Sequence, residues 1–189
     1  MILSFITPKK TGAPAVSKRR LILLRHAKSA WPEGVPDHER PLSDRGRKSA
    51  LVIGGYMKRE KLFPDLTLVS PARRAQETWK LIREVLPDGI VERETPGIYE
   101  VPAGTILTAI QSVEPGTRTL LMVGHNPGME DLASVLTKDG DVDAISRMTE
   151  KFPTAGLAVI DFDIEGWNST GKGSATGYLE RFVTPRFLG

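Results

Sequence analysis

Short, almost purely apolar runs recur along this chain, and they limit its fold more than any other feature. RLILL (residues 20–24), DLTLVS (65–70), RTLLMVG (118–124) and GLAVIDFD (156–163) carry few polar side chains. A strand with one wet face alternates in polarity, whereas one that stays apolar needs cover on both faces. GIVERE (89–94) and, more weakly, GYLERFV (177–183) complete the set of predicted strands.

The stretches between them supply that cover. Ser43 is placed to cap a helix over DRGRKSALVIGGYMKRE, with Ala50, Leu51, Ile53, Tyr56 and Met57 inward. RRAQETWKLIREVL sets Ala75, Trp79, Ile82 and Leu86 at helical spacing, and Pro87 stops it. AGTILTAIQSV and GMEDLASVLTK are two more helices. Strands alternating with helices predict the α/β class, as a three-layer α/β/α sandwich around a mainly parallel central sheet. A chain of 189 residues can bury one sizeable core. The reading is one domain over 20–189, preceded by a loose extension over 1–19 rich in Pro, Gly and Lys. EGWNSTGKGSATG (165–177) is expected to be a mobile hairpin connection.

Composition removes several classes. Without cysteine there is no disulfide, thiolate metal site or Cys nucleophile. The 26 basic and 23 acidic residues give a net charge of +3, which demands no nucleic-acid partner. No apolar run approaches the length of a membrane span, and the first residues lack the pattern of a signal peptide. A cytoplasmic protein is expected.

In open α/β sheets, ligands bind beyond the carboxyl ends of the strands. Three predicted strands end suggestively: one on Arg25-His26, one on Ser70, Pro71 and then Arg73-Arg74, one on Gly124-His125-Asn126. As parallel neighbours they would bring two histidines and up to three arginines into one crevice. Guanidinium groups bind phosphate oxygens bidentately, and an oxyanion between them relieves their mutual repulsion. A neutral imidazole is a nucleophile able to carry a phosphoryl group. Nearby arginines favour that neutral form. A second imidazole can donate to a nonbridging oxygen in the transition state. Amides opening the helix after Asn126 and Pro127 would add anion affinity. His38 reads as a surface-loop residue.

Two motifs are decoys. GWNSTGKG (166–173) nearly fits a phosphate-binding loop, but Gly173 stands where Ser or Thr must hold magnesium. DGDVDAISRMTE (139–150) has the carboxylate spacing of a calcium loop, but Ala144 occupies the position that requires glycine. An acidic turn leading into a helix is the better reading.

LLRHAKS, RPLSDRGRKSA, LVSPARRAQET and MVGHNPGMEDLA, in this order, resemble the histidine phosphatase superfamily with its phosphoglycerate mutase-like fold, and most of all its short SixA-like branch of phosphohistidine phosphatases. The resemblance runs from about residue 20 to the C-terminus. It implies His26 as the phosphorylated nucleophile, Arg25 and Arg74 as its phosphate-binding neighbours, and His125 as the second histidine. Arg40 and Asn126 would contact substrate, and Arg73 would face solvent. Ala27 and Lys28 follow the histidine where the family often has Gly and an acid, a departure that bears on the substrate. No metal or cofactor is implied. The partner would be a phosphorylated substrate such as a phosphohistidine-bearing signalling protein. The alternatives are a broad small-molecule phosphomonoesterase and a silent phosphate-binding module.

Mutase-like members carry a general acid in an insertion this chain lacks. Glu100, Asp37 and Glu39 are the available carboxylates, each more simply read as surface or salt-bridged. An alkoxide leaving group needs such an acid, whose help is worth about 10²–10⁴-fold. The labile P–N bond of phosphohistidine needs it far less.

Overall fold

A computed structural model describes residues 18–173 and 175–189. Seven strands form one sheet in the order β3-β2-β4-β1-β6-β7-β5. The strands are β1 (Lys18–Arg25), β2 (Leu66–Val69), β3 (Val91–Glu94), β4 (Thr119–Gly124), β5 (Thr137–Gly140), β6 (Leu157–Asp163) and β7 (Gly177–Val183). β1, β4, β2 and β3 pair in parallel, as do β5 and β7. β6 runs antiparallel between β1 and β7. The sheet is therefore mainly parallel, as its continuous apolar runs required.

Alternation along β1 shows how both faces are covered. Leu21 and Leu23 join a core built with α3 (Ala103–Gln111), α4 (Gly128–Leu136) and α5 (Val142–Glu150). Ile22 and Leu24 join the opposite core, built with α1 (Asp44–Arg59) and α2 (Arg73–Arg83). The short α6 (Pro185–Leu188) packs against α1. These are the three layers expected. β3 is exposed along its length and carries VERE, charges that suit an edge strand.

The departures are local. β1 begins at Lys18, so Lys18 and Arg19 belong to the sheet, while the rest of the expected extension lies outside the described residues. Leu51 was expected inward but is 46% exposed, because Ala50, Ile53, Tyr56 and Met57 already fill the buried face of α1. The expected helix GMEDLASVLTK stops at Leu136, and Thr137–Gly140 instead pair with β7. That strand is TKDG, with no β-branched run to reveal it. The acidic segment does lead into a helix: Asp141 caps α5 through the Ala144 amide. The hairpin connection is pinned rather than free in its first half. Trp167 is fully buried there and donates its indole N–H to the Thr117 carbonyl at 2.8 Å.

The β1–α1 connection folds back on itself. Ser29 bridges Leu42, Ala30 N donates to Pro41 O at 2.9 Å, and Ser43 N donates to Lys28 O at 2.9 Å. The tip, residues 31–40, is thereby laid over the carboxyl end of the sheet. The closest packing is where α1 meets this loop. A Cβ on Gly46 would lie 2.0 Å from the Lys28 carbonyl oxygen, whereas one on Gly55 of the same helix would meet nothing within 4 Å. Helix propensity alone favours alanine at either position by about 1 kcal/mol. The two substitutions should therefore differ in sign. Gly55→Ala is expected to raise the urea midpoint, and Gly46→Ala to lower stability by about 1–3 kcal/mol through overpacking. Equal stabilisation by both would show that the loop does not rest on α1.

Candidate active site

β1, β4 and β2 are parallel neighbours, so their carboxyl ends open side by side. They deliver Arg25-His26 and His125-Asn126 to one hollow of about 200 Å³, with Ser70 fully buried behind His125. The start of α2 brings Arg74 into the hollow, and the folded-back loop brings Trp31 and Arg40.

Arg74 ties the parts together. Its guanidinium is almost fully buried. Nε donates to His26 Nε2 at 3.3 Å, and Nη2 donates to His125 Nδ1 at 3.3 Å. Nη1 donates to the Asp37 carbonyl at 2.7 Å. Carboxylates of Asp37 and Glu100 each lie 3.0 Å from Nη2. The two imidazoles have ring centroids 5.0 Å apart.

The tautomer of His26 follows from its neighbours. Nδ1 lies 2.7 Å from the Ala27 carbonyl, which can only accept. Nδ1 therefore carries the proton, and Nε2 holds a lone pair turned into the hollow. Burial, chiefly, with the charges of Arg74, Arg25 and Arg40 lowers the His26 pKa to about 4, against the opposing hydrogen bond to Ala27. Burial, then His26 and Arg74, lowers that of His125 to about 3. His125 Nε2 shares a 2.7 Å hydrogen bond with Ser70 Oγ, a hydroxyl able to serve either tautomer.

Arg40 stacks its guanidinium 3.1 Å from the centroid of Trp31 and donates to Ser29 Oγ at 2.5 Å and Asp37 Oδ1 at 2.7 Å. Arg25 donates to the Phe152 carbonyl at 2.9 Å, while its Nε is buried without an acceptor. Asn126 lines the hollow, but its amide hydrogens go to Glu130 at 3.0 Å and the Phe152 carbonyl at 2.9 Å. It holds the wall, and its Oδ1 is buried without a donor. The amide of Met129 at the start of α4 is likewise spent, on the His125 carbonyl. Arg73 faces outward and pairs with Glu77 at 2.8 Å.

The three candidate acids separate. Burial raises the Asp37 carboxyl, but hydrogen bonds from Tyr99 and Arg40 and the charge of Arg74 outweigh it and hold it well below the carboxylate range. Asp37 is thus a fixed anion between two arginines, not a proton donor at neutral pH. Glu39 pairs with His38 at 3.1 Å on the surface. Glu100 lines the hollow, half exposed, with φ of 49° in the left-handed region that side chains rarely adopt. Tyr99, which the sequence reading did not single out, donates its hydroxyl to Asp37 at 2.7 Å and sets its ring edge-on between His38 and His125. Nothing local in GIYEVPAG marks it, since its partner is 62 residues away.

Among the described residues, no helix is long and apolar enough to cross a membrane, and no three His, Cys, Asp or Glu side chains cluster to hold a metal ion.

The buried imidazoles give a stability prediction. Both titrate near 6.5 in the unfolded chain but at about 4 (His26) and about 3 (His125) when folded. Between those values the unfolded chain binds more protons, so stability falls as pH drops from about 6.5 toward 4. Asp37, with its lowered pKa, acts only below that window. The urea midpoint of His26→Asn should therefore fall less steeply between pH 7 and pH 4.5 than that of the unsubstituted protein. Equal slopes would show that His26 is not held neutral by burial.

Comparisons with known proteins bear on the family and the fold. The family model of the histidine phosphatase superfamily (branch 1) matches residues 21–108. An uncharacterized protein of Mycobacterium tuberculosis is 40% identical over 139 residues, 72% of this chain and 85% of that one. The crystal structure of the putative phosphohistidine phosphatase SixA from Agrobacterium tumefaciens matches with a TM-score of 0.74 at 29% identity, covering 88% of this chain and 98% of that one. The structure of the putative phosphohistidine phosphatase SixA from Nakamurella multipartita, at 24% identity, shares the fold with a TM-score of 0.77 over 89% of this chain and 97% of that one.

Proposed function

The chain belongs to the histidine phosphatase superfamily, and from that premise we propose that it hydrolyses protein-borne phosphohistidine through a covalent intermediate on His26. The observation that carries this reading is the lone pair of His26 Nε2, fixed by the Ala27 carbonyl and facing the Arg74 guanidinium at 3.3 Å.

In the first step His26 Nε2 attacks phosphorus in line with the departing nitrogen. The new P–N bond forms as that of the substrate breaks, and the leaving imidazole takes its proton from solvent water. In the second step water attacks phosphorus, inorganic phosphate leaves, and the His26 lone pair is restored. The Ala27 carbonyl, accepting from Nδ1, steadies the positive charge on the phosphorylated ring. Arg25, Arg40 and Arg74 hold nonbridging oxygens, so their charges do the work a divalent ion does in other phosphoryl-transfer sites. In the tautomer protonated at Nδ1, which gives up the hydrogen bond from Arg74, His125 donates to one oxygen while Ser70 donates its hydroxyl to Nε2. Asn126 keeps the wall in place.

The absence of a well-placed acid favours a labile leaving group. Asp37 is locked as an anion, and Glu100 is half exposed and engaged with Arg74. Glu100 also supports the second reading, a small-molecule phosphomonoesterase, because among the described residues it is the carboxylate that lines the hollow. A silent binding module would have no use for an oriented, neutral His26.

Labelled phosphate should be trapped on the protein during turnover and lost in His26→Ala. Full turnover by His26→Ala would overturn the nucleophile assignment. In kcat/KM a phosphohistidine peptide should exceed an alkyl phosphate, and Glu100→Gln should slow the alkyl ester by about 10²-fold or more while sparing the peptide. The reverse ranking would favour the phosphomonoesterase. Activity should survive EDTA; full loss restored by a divalent ion would contradict the arginine-only site.

A further inference from the structure

A second hollow of about 270 Å³ adjoins the first and shares Lys28 and Thr154 with it. Its other cations are Arg45, Lys151 and Arg186, and no carboxylate lines it. The four come from separate segments: the β1–α1 loop, the first turn of α1, the residue after α5, and α6. All four are exposed. Among the described residues none of them forms an ion pair, whereas Arg20, Arg73, Arg93 and Arg181 all do. In a chain with 26 basic and 23 acidic residues, four unpaired cations around one depression make a local positive field beside the phosphoryl site.

We propose that this second hollow is an anion subsite for carboxylates of an acidic protein segment flanking the phosphorylated residue. This rests on the reading of a protein-borne substrate and adds a chemical requirement to it. The cations here differ in kind from Arg74. Arg74 is buried and fixed by five polar contacts, as suits a single tetrahedral anion. Lys28, Arg45, Lys151 and Arg186 are long, solvated and spread over four segments, as suits several carboxylates on an extended chain. Such charges steer encounter and lower KM more than they alter the chemical step.

The test uses peptide pairs that differ only in flanking Asp and Glu against Asn and Gln, one pair bearing phosphohistidine and one phosphoserine. At low salt the acidic member should be favoured in kcat/KM by about ten-fold, the order expected of three exposed charge pairs. The preference should lie in KM and shrink as salt is added. The triple substitution Arg45→Gln, Lys151→Gln, Arg186→Gln should bring the ratio to about one, with its urea midpoint checked alongside. A ratio near one in the unsubstituted protein, or a preference that survives the triple substitution, overturns the subsite. Equal hydrolysis of the phosphohistidine pair does so while leaving the phosphohistidine reading intact. If only the phosphoserine pair is turned over, that reading fails and the subsite is decided on the serine peptides. No turnover of either pair overturns both. A small bisphosphate preferred over its monophosphate, with that preference alone lost in the triple substitution, assigns the hollow to a second phosphate and overturns the acidic segment.

Discussion

A guanidinium almost sealed from water must be met by partners on every side, and Arg74 is the group around which this end of the sheet is arranged. A buried cation stripped of a partner costs several kcal/mol, of the order of 3–5. The chain answers with two imidazole nitrogens, one carbonyl and two carboxylates. These five groups come from four residues on four segments, His26, Asp37, Glu100 and His125, so meeting the charge fixes the loop tip, the end of β4 and the Tyr99-Glu100 turn at once. The strained backbone at Glu100 is understandable in these terms: the unusual φ lies where its carboxylate meets Arg74. The neutral histidines follow too, since burial beside fixed cations disfavours further positive charge.

How much of this was legible beforehand depends on the range of the interaction. The sheet was legible because β1, β2, β4 and β6 are apolar on both faces, and a doubly covered strand leaves its mark in every residue. The convergence of His26, Arg74 and His125 was legible because parallel neighbours must open at the same end. β5 was not, because TKDG is held by its pairing with β7 and not by its own propensity. Leu51 was misplaced because a helical period allows more inward positions than the packing against α2 can use. Asn126 sits where a substrate contact was expected, but two acceptors take its hydrogens, and one of them lies across the loop before β6. Asp37 is salt-bridged, the simpler of its two readings, but its two arginine partners could not be read from the sequence. Its ionisation is set by Tyr99 and Arg74, which no local pattern connects to it.

The same long-range carboxylate explains how a mildly basic protein can hold three arginines in one hollow. Asp37 stands between Arg40 and Arg74 and cancels part of their repulsion. Two arginines braced on one anion keep their planar forks aligned, and a phosphoryl group then meets a preorganised surface. Arg40 is further braced by Trp31, whose exposed ring forms the rim. The site's affinity for anions is thus a property of the folded loop as much as of the arginines themselves.

An incoming phosphoryl group has to compete with the carboxylates already on Arg74, and the two are not equally easy to displace. Asp37 is held in addition by Arg40 and by the Tyr99 hydroxyl, so moving it would unmake the loop. Among the described residues Glu100 has only Arg74 as a side-chain partner, and it is half in water, where its charge is readily resolvated. Glu100 is therefore the group that yields. Once released it is an unclamped carboxylate at the mouth of the hollow, on the side from which a substrate must enter. With an imidazole leaving group, which departs readily, that carboxylate has little left to do, and its place there costs the reaction nothing. With an alkoxide leaving group, the phosphomonoesterase reading would require this side chain to supply the proton, since Asp37 is held as an anion. On the proposed reading, the choice between the two substrate classes would be focused on one side chain, tied among the described residues to the arginine that the phosphoryl group would take over.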